Sequence, residues 1–451
     1  MIKKSDQSYI TGKALAVEKQ ISIFPVLLVN FIGTLGYSII LPFLIILVLM
    51  FGGNELTYGI LGATYSFFQL IGAPLLGKWS DRYGRKKILL LSQAGTFLAW
   101  VIFLIALLIP NKTLINLNSS AWGAIIISAP LIMLFFARAF DGITGGNVSV
   151  ANAYLADITT EKYRKSNFGK MAASANLGFI IGPAMAGLLG GTILGELLPV
   201  LLAMLISLIA IFVIAFLMSE SNPCVILQPL ESCKIKKVFG QEHKDCYEIA
   251  ESNKITFREI LKLNHIPFLL ILYFIIFLAF NFYYVAFPVH AVERLKWNLL
   301  ELGIFFSVMG FIMVLVQGPV LAKISNKFSD SHLTITGSIL LGASFFFFTG
   351  RNEVFIYSGV VLFSCGNGIM WPSYLSILSK VAGKKYQGAI QGYASSAGSL
   401  ASILGLIFGG LLYGLLGETI FWIPGILLLI IFGISFKLLA IQKPDPTIIE
   451  E

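Results

Sequence analysis

An arginine and an aspartate inside an otherwise apolar stretch are the residues of this sequence best placed to do chemistry. Arg138 and Asp141 lie three residues apart, and on a helix they would stand about 60° apart on one face. An Arg at the centre of a bilayer costs about 2.5–3.5 kcal/mol, so Arg138 should face a bundle interior or a watery cavity with a partner there. Asp141 either neutralises Arg138 as a structural pair or titrates when a substrate or a proton arrives.

Neutral polar and aromatic side chains in other apolar stretches form a second candidate set. Asn367, Trp371 and Tyr374 follow a spacing of i, i+4 and i+7 and so share a helix face. Faces of this kind suit an organic molecule with apolar surface and a few hydrogen-bonding groups, whereas each residue alone is more simply explained as an interhelical contact. We predict a pathway for substrate and protons that contains Arg138, Asp141, Asn30, Tyr37, Gln69, Asn281, Tyr284, Asn367, Trp371 and Tyr374.

The composition requires a membrane around these residues. The chain has 451 residues, of which 57% are hydrophobic and only 12% are charged, with the charges clustered between long apolar runs. A membrane helix needs about 20 mostly apolar residues. We predict an all-α membrane protein with twelve spans, at about residues 22–50, 56–77, 87–109, 122–156, 166–192, 195–218, 266–290, 299–322, 332–349, 353–379, 387–416 and 418–440.

The charge distribution predicts the topology. Of the 32 Lys and Arg residues, the four on the side opposite the termini are Lys112, Arg294, Lys296 and Arg351, and Arg138 lies within the membrane. Positive residues near span ends stay in the cytoplasm, so both termini should be cytoplasmic. The net charge of +9 is therefore a topological signal, with some charge available to lipid headgroups, and we expect no nucleic-acid partner.

A long polar segment divides the chain almost at its midpoint. We expect an N-terminal six-helix bundle at 1–218, a cytoplasmic linker loop at 219–264 and a C-terminal six-helix bundle at 265–451. The halves repeat at an offset of 223 residues between Tyr163–Gly191 and Tyr386–Gly414, and the matched glycines are Gly169/Gly392, Gly182/Gly405, Gly187/Gly410 and Gly191/Gly414. A repeat in the same orientation indicates a parallel duplication, as in secondary transporters.

The loop between spans two and three carries the most specific motif, Gly77-Lys-Trp-Ser-Asp81-Arg82-Tyr-Gly84-Arg85-Lys86-Lys87. A positive-inside hairpin would explain the basic residues but not an aspartate between two glycines. The loop resembles the signature motif of the major facilitator superfamily. That resemblance implies two pseudo-symmetric six-helix bundles that alternate access to a midplane site. It also implies that the loop locks the cytoplasmic side, which assigns to a gate the residues Gly77, Asp81, Arg82, Gly84, Arg85 and Lys86.

The same resemblance implies a partner for this loop. In the family its second Arg pairs with an acid at the end of span four, where this chain has Asp157, so an Arg85–Asp157 contact is predicted; the alternative is a plain span-end acid. Gly77 is expected to permit close helix approach. The counterpart in the second half, Ala322–Asp330, has Asn326 in place of Asp81. We therefore expect a degraded charge latch in that half.

Span five carries a second motif, formed by Gly178, Gly182, Pro183 and Gly187. Its glycines would let a neighbouring helix approach, and its proline removes one backbone donor and favours a kink. A bare packing face is the alternative, but the spacing resembles the motif of the drug:proton antiporter branch. The stretch Arg138–Gly191 resembles the tetracycline and multidrug efflux group most.

One departure from this group concerns proton coupling. Efflux members usually carry a carboxylate in span one, in a segment like the one that begins near Asn30, and often another near Thr96, but both places are uncharged here. Coupling through the first half would have to rest on Asp141. A carrier that is independent of protons, or coupled differently, stays open.

The resemblance implies a secondary active transporter of a small organic solute, most simply a proton-coupled exporter in a bacterial inner membrane, acting as a monomer without cofactor or metal. The alternatives are a carrier of a specific metabolite such as a sugar, amino acid or siderophore, and a non-transporting membrane receptor. An enzyme is not expected, because no nucleophile motif or metal-ligand spacing lies at a membrane face. Cys224, Cys233 and Cys246 with His243 could form a zinc site, but plain loop thiols are the simpler interpretation.

Overall fold

A computed structural model of the chain describes residues 22–119, 123–145, 147–159, 161–221, 237–238, 241–242 and 257–441. The three linker cysteines and His243 lie outside this part, as do the side chains of Asp81 and Arg82. Over the described residues the chain is almost entirely helical, and its helices form two groups that meet around a central cavity.

The first half contains seven helices and one β-hairpin. The helices are α1 (Phe24–Met50), α2 (Glu55–Tyr83), α3 (Arg85–Leu108), α4 (Ala129–Thr144), α5 (Asn147–Ile158), α6 (Glu161–Gly190) and α7 (Leu197–Phe212), the last followed by a π-helical turn at Val213–Leu217. The strands β1 (Thr113–Ser119) and β2 (Gly123–Ser128) pair antiparallel between α3 and α4.

Short elements occupy the segment between the halves, and the second half follows. A two-residue pair, β3 (Lys237–Val238) and β4 (Gln241–Glu242), precedes α8 (Phe257–Ile260). The second half has α9 (Ile266–Glu293), α10 (Leu299–Leu315), α11 (Leu321–Ile324), α12 (Asp330–Phe347), α13 (Glu353–Leu416), α14 (Trp422–Ser435) and α15 (Lys437–Ile441), with a π-helical turn at Val316–Val320 and a 3-10 turn at Gly417–Phe421.

The helices are consistent with the twelve predicted spans. Eight of the described helices are long and apolar enough to cross a membrane, or nine if Phe24–Ile40 and Pro42–Met50 form one span. Span four is divided into α4 and α5, of 16 and 12 residues. Span nine is the 18-residue α12, whose first residues are polar. Spans eleven and twelve lie together in the apolar stretch Ile390–Ile441.

The β1–β2 hairpin is the main departure from the predicted helices. Residues 122–128 were expected to begin span four, but Gly123–Ser128 is a strand. Its run of three isoleucines has β-branched side chains, which favour extended backbone. The Ile126 amide also donates to the Gly52 carbonyl at 3.0 Å, which ties the hairpin to the α1–α2 turn. We call this end of the molecule the hairpin end. The end that carries the Gly77–Lys87 motif, of which only Gly84 lies outside α2 and α3, is the motif end.

Paired glycines join the halves at two equivalent seams towards the hairpin end. A Cβ on Gly303 of α10 would meet the Pro183 carbonyl of α6 at 2.6 Å and the Gly187 Cα at 2.7 Å. Gly410, the repeat partner of Gly187, packs in the same way on α2, where a Cβ would meet the Gly59 Cα at 3.3 Å. The sequence repeat therefore corresponds to repeated backbone packing.

The apolar core of the second half is largely aromatic. Tyr283 and Phe287 on α9 are fully buried, and Phe287 stacks on Phe305 of α10 with ring centroids 4.1 Å apart. Phe348 and Phe421 pack against the same pair. Large rigid rings in contact hold this half together beside the cavity.

Candidate substrate and proton site in the central cavity

A cavity of about 670 Å³ lies between the halves and is lined by both. Its volume is in the range of small-molecule sites. Nine of the ten predicted pathway residues line it: Asn30, Tyr37, Gln69, Arg138, Asp141, Asn281, Tyr284, Asn367 and Trp371. The lining extends towards the motif end at Asn30, Ala151 and Ser395.

The charged pair lies in the wall that α4 contributes. An Arg138 Nη1 is 3.5 Å from Asp141 Oδ2, and the two side chains are 5% and 15% exposed. The Arg138 guanidinium also lies over the Tyr65 ring, with Cζ 4.3 Å from the centroid, a cation–π contact. Within the described residues, the Arg138 Nε is buried and has no hydrogen-bond partner. The cation is therefore held by one loose ion pair and one ring.

Asp141 has a neutral polar neighbour on α3. The Thr96 side chain lies beside its carboxyl group and lines the same cavity. Among the titratable acids described, Asp141 is the one that lines the cavity.

The wall facing this pair in the second half is aromatic. Tyr273 and Phe277 of α9 are stacked, with centroids 4.8 Å apart and planes 9° from parallel. Trp371 of α13 contacts both rings at 5.2 Å. All three line the cavity, which gives an aromatic surface opposite a charged one. This combination suits an organic molecule with an apolar ring system and a polar edge.

The cavity amides are largely engaged with the protein itself. Asn30 Nδ2 donates to the Met171 carbonyl and the Ser174 hydroxyl, both at 2.9 Å, which ties α1 to α6. Asn281 Nδ2 donates to the Phe277 carbonyl at 2.7 Å and to the Ser402 hydroxyl at 3.0 Å. These two amides thus make interhelical contacts while they line the cavity.

The other two amides differ from each other. Gln69 Nε2 donates to the Tyr65 hydroxyl at 3.0 Å and to the Gly145 carbonyl at 3.2 Å, beside the charged pair. Asn367 Nδ2 lies 3.4 Å from the Met313 sulfur, and in the described chain its Oδ1 is buried without a hydrogen-bond partner.

Tyr374 is the predicted pathway residue that lies elsewhere. It is fully buried, its hydroxyl donates to the Leu269 carbonyl, and its ring stacks behind Trp371 with centroids 6.0 Å apart. Tyr374 lies three residues after Trp371 on the predicted face, but its ring lies behind Trp371 and not in the cavity lining. It supports the wall and does not line the cavity.

At the motif end the predicted Arg85–Asp157 contact is present. Arg85 Nε donates to Asp157 Oδ2 at 3.0 Å, and Arg85 Nη1 donates to the Ser80 hydroxyl at 2.6 Å. Arg85 is the first residue of α3, and Asp157 lies one residue before the end of α5. The contact therefore joins the start of span three to the end of span four.

Glu220 is a member of this cluster that the sequence reasoning missed. Its Oε1 accepts from the Arg85 amide at 2.7 Å, and its Oε2 accepts from the Lys86 amide at 3.2 Å. An acid at these amides satisfies the exposed N–H groups at the start of a helix. Ser221 adds a hydroxyl to Asp157 Oδ2 at 3.2 Å, and Lys86 Nζ donates to the Ala215 carbonyl at 2.8 Å. The sequence feature that could have identified Glu220 is its position as a single acid just after span six.

The two gate glycines have different surroundings. Gly84 has φ +102°, and a Cβ there would lie 2.9 Å from the Glu220 carboxyl carbon, so the turn requires glycine. A Cβ on Gly77 would meet nothing within 4 Å. The expected close helix approach at Gly77 is therefore not found.

The span-five motif packs on both halves. A Cβ on Gly178 would meet the Leu35 amide at 2.8 Å, and one on Gly182 would meet the Leu35 carbonyl at 2.9 Å, so both glycines allow α1 to approach. Ser38 of α1 donates to the Gly178 carbonyl at 2.9 Å. Pro183 and Gly187 face α10 instead. The motif thus places α6 between the first half and the second.

Comparisons with known proteins agree with this geometry. Residues 26–405 match the Major Facilitator Superfamily. The class D tetracycline resistance protein of Salmonella ordonez is 27% identical over 393 residues, covering 86% of this chain and 88% of that protein. Multidrug resistance protein 2 of Bacillus subtilis (strain 168) is 27% identical over 93% of this chain and 96% of its own length.

Solved structures share the fold. The D-xylose–proton symporter has a TM-score of 0.69 at 15% identity and covers 92% of this chain and 97% of its own. The human organic anion transporter MFSD10 has a TM-score of 0.64 at 18% identity, covering 93% and 99%. The chain is thus an integral, multi-pass membrane transporter and not an enzyme, and it belongs to the Major Facilitator Superfamily.

Proposed function

We propose that this protein exports a small organic compound from the bacterial cytoplasm in exchange for protons. The main support for this proposal is the Arg138–Asp141 pair, which is buried in the wall of a cavity shared by both halves. The tetracycline and multidrug resistance proteins that match most of the chain support an organic drug-like substrate. We further propose that one chain suffices, since both walls of the cavity belong to it.

Residues 1–218 and 265–451 would move as two halves joined by the linker 219–264. With both termini in the cytoplasm, the motif end is cytoplasmic. The glycine seams close the hairpin end, while the cavity lining extends towards Asn30 and Ser395 at the motif end. The described conformation then corresponds to a carrier open to the cytoplasm.

Asp141 would carry the proton. As a carboxylate it attracts Arg138, and protonation removes that attraction. A substrate that binds more tightly beside the ionised pair weakens the binding of the proton, and a proton arriving from outside weakens the binding of the substrate. Competition for one group is sufficient for exchange.

The aromatic wall would bind the apolar part of the substrate. Tyr273, Phe277 and Trp371 offer ring faces across the cavity from the charged pair. The gate residues Arg85, Asp157 and Glu220 lie at the motif end, where they would hold the first-half helices together while that end closes and reopens. The gate roles of Asp81 and Arg82 stay part of this proposal.

Everted membrane vesicles from cells that express the protein test the direction and the driving force. With tetracycline and ethidium as probes, energised vesicles should accumulate at least one compound, and collapse of the pH gradient with nigericin should release it. Uptake that survives nigericin would contradict proton exchange. Failure with both probes, alongside transport of a sugar or amino acid, would favour the metabolite carrier.

A further inference from the structure

An ion pair at the motif end of the second half has no role in the pathway described above. Lys380 Nζ lies 2.6 Å from Asp330 Oδ2, and the Ser376 hydroxyl donates to the same oxygen at 2.6 Å. Ser376 and Lys380 are four residues apart on α13, so both donors come from one helix face. Asp330 is the first residue of α12.

The position of this pair matches that of Arg85 and Asp157 in the first half. Arg85 and Asp330 each begin the helix that follows the motif loop or its counterpart. Asp157 lies one residue before the end of α5, and Lys380 lies two residues before the end of the apolar stretch Glu353–Ala382. In each half, the start of the helix after the loop is joined to the end of the following span.

The details of the two contacts also agree. In each, the acid accepts from a cation and from a serine hydroxyl: Asp157 from Arg85 and Ser221, and Asp330 from Lys380 and Ser376. The helix-start member is the more buried one in both, with Arg85 10% exposed against 29% for Asp157, and Asp330 17% against 64% for Lys380. The two contacts differ in which position carries the charge of each sign: the helix-start residue is the cation Arg85 in the first half and the acid Asp330 in the second.

We infer that Asp330 and Lys380 form a second motif-end latch, equivalent to Arg85–Asp157 but with the cation and the acid exchanged between the two positions. The latch fastens the α11–α12 turn to the end of span ten, so that the second half moves as one body. It corrects the expectation, drawn from Asn326, that this half has a degraded latch. Asn326 Nδ2 donates to the Ala322 carbonyl of its own turn.

The exchange of charges has a physical reason in the helix starts. A helix N-terminus carries a partial positive charge and favours an acid. Arg85 is a cation at such a start, and the separate carboxylate of Glu220 accepts from the Arg85 and Lys86 amides. Asp330 places its own acid in the first turn of α12. Asp330 therefore supplies both the negative charge at the helix start and the acidic member of the latch.

Hydrogen exchange in the purified protein tests the latch without any substrate. The amides of Ser325, Lys327 and Phe328 are hydrogen-bonded within the α11–α12 turn, so their exchange reports its opening. Asp330→Asn and Lys380→Gln should each speed this exchange by about two- to fivefold, the range for a partly exposed ion pair. Lys323→Gln, an exposed charge on the adjacent α11, is the control and should leave the exchange unchanged.

The double variants separate a latch from two independent charges. In the Asp330→Asn background, Lys380→Gln should speed the exchange of these amides little further. The charge-swapped double variant, Asp330→Lys with Lys380→Asp, should exchange more slowly than the product of the effects of Asp330→Lys alone and Lys380→Asp alone. The rescue will be partial, because a lysine replaces the acid at the helix start. Fully multiplicative effects, or single variants that match the wild type, would overturn the inference. Neither outcome depends on the proposed export activity.

Discussion

The loose geometry of Arg138 and Asp141 is the residue-scale feature on which the proposed proton exchange would depend. A separation of 3.5 Å exceeds the usual 2.7–2.9 Å of a charge-assisted hydrogen bond. Thr96 lies beside the Asp141 carboxyl group, and the Arg138 guanidinium contacts the Tyr65 ring. Each member thus has a partner that remains when the ion pair opens. Such a pair can separate without leaving either side chain unsupported.

Asp141→Asn should abolish proton coupling while preserving the cavity. The amide keeps the size and can still accept a hydrogen bond from Arg138, but it cannot carry a proton. In reconstituted vesicles, accumulation driven by a pH gradient should fall to the level of protein-free vesicles, whereas exchange of labelled for unlabelled substrate should persist. Ser358→Ala, on the exposed face of α13, is the control. Normal pH-driven accumulation in the Asn variant would remove Asp141 from the coupling role.

Arg138→Leu should destabilise the protein strongly, because it leaves the Asp141 carboxylate buried without its cation. Breaking a buried pair on one side costs about 3–5 kcal/mol. The double variant with Asp141→Leu should regain most of the thermal stability, since apolar residues replace both charges, but it should not transport. Thermal unfolding in detergent measures the first effect and vesicle flux the second. A stable Arg138→Leu variant with full transport would contradict the cavity assignment.

Residue types and spacing predicted most of the cavity wall but not the bonding within it. A central Arg followed by Asp on one helix face was enough to expect a buried pair. The spacing could not show that Asn30 reaches the Met171 carbonyl, or that Tyr374 lies behind Trp371, because both depend on the rotation of neighbouring helices. Glu220 was missed because a long-range contact to helix-start amides leaves no local pattern.

At the scale of helices, two glycine seams determine how the halves meet. Gly187 with Gly303, and Gly410 with Gly59, bring backbones into contact near the hairpin end. Contacts between small residues separate without exposing long side chains, which suits an interface that opens and closes. We expect these seams to part when the hairpin end opens.

Gly303→Val should hold the hairpin end open. A Cβ there would lie 2.6 Å from the Pro183 carbonyl, and overpacking of this kind costs about 1–3 kcal/mol. Because this contact exists only when the hairpin end is closed, the valine destabilises the closed state relative to the open one. A cysteine placed at the cavity residue Ser402 should then react with an impermeant maleimide added outside right-side-out vesicles. Gly433→Val is the control, since a Cβ there meets nothing within 4 Å. Equal labelling of both variants would contradict a gating seam.

Helix positions were predictable from apolar runs, but their interruptions were not. The break between α4 and α5 falls at Gly145, and glycine is also common inside membrane helices, so it gave no sign of a break. The β1–β2 hairpin arises where isoleucines extend the apolar run, which fits a membrane helix equally well. Spans ten and eleven are joined in one helix of 64 residues, although the polar link between them contains Gly383 and Gly388, which predict a break.

On the scale of the whole molecule, the halves are closed at the hairpin end in the described conformation. Lys78 and Lys323 are exposed residues near the motif end, one in each half. Spin labels at these positions, on a background without native cysteines, should be far apart in the resting protein. Substrate or lower pH should populate a second, shorter distance. A single distance under all conditions would contradict alternating access.

The two-half architecture could be inferred from the sequence because glycine residues still match between the two copies of the duplicated unit. Gly187 and Gly410 kept their identity, and the structure shows why: each packs against the backbone of the opposite half. The charged residues, in contrast, do not match between the two halves. Arg138 has no counterpart at Val361, and the second-half latch exchanged its charges, which a search for identical residues overlooks.

Simultaneous recording of drug and proton flux in one set of vesicles shows whether Asp141 exchanges protons for the transported drug. Proteoliposomes that contain a pH-sensitive dye, given a tetracycline gradient and no initial pH gradient, should move protons against the direction of the drug. Asp141→Asn should keep the drug flux and lose the proton flux, with protein-free vesicles as the baseline. Proton movement in the same direction as the drug, or undiminished proton flux in the Asn variant, would contradict proton exchange at Asp141.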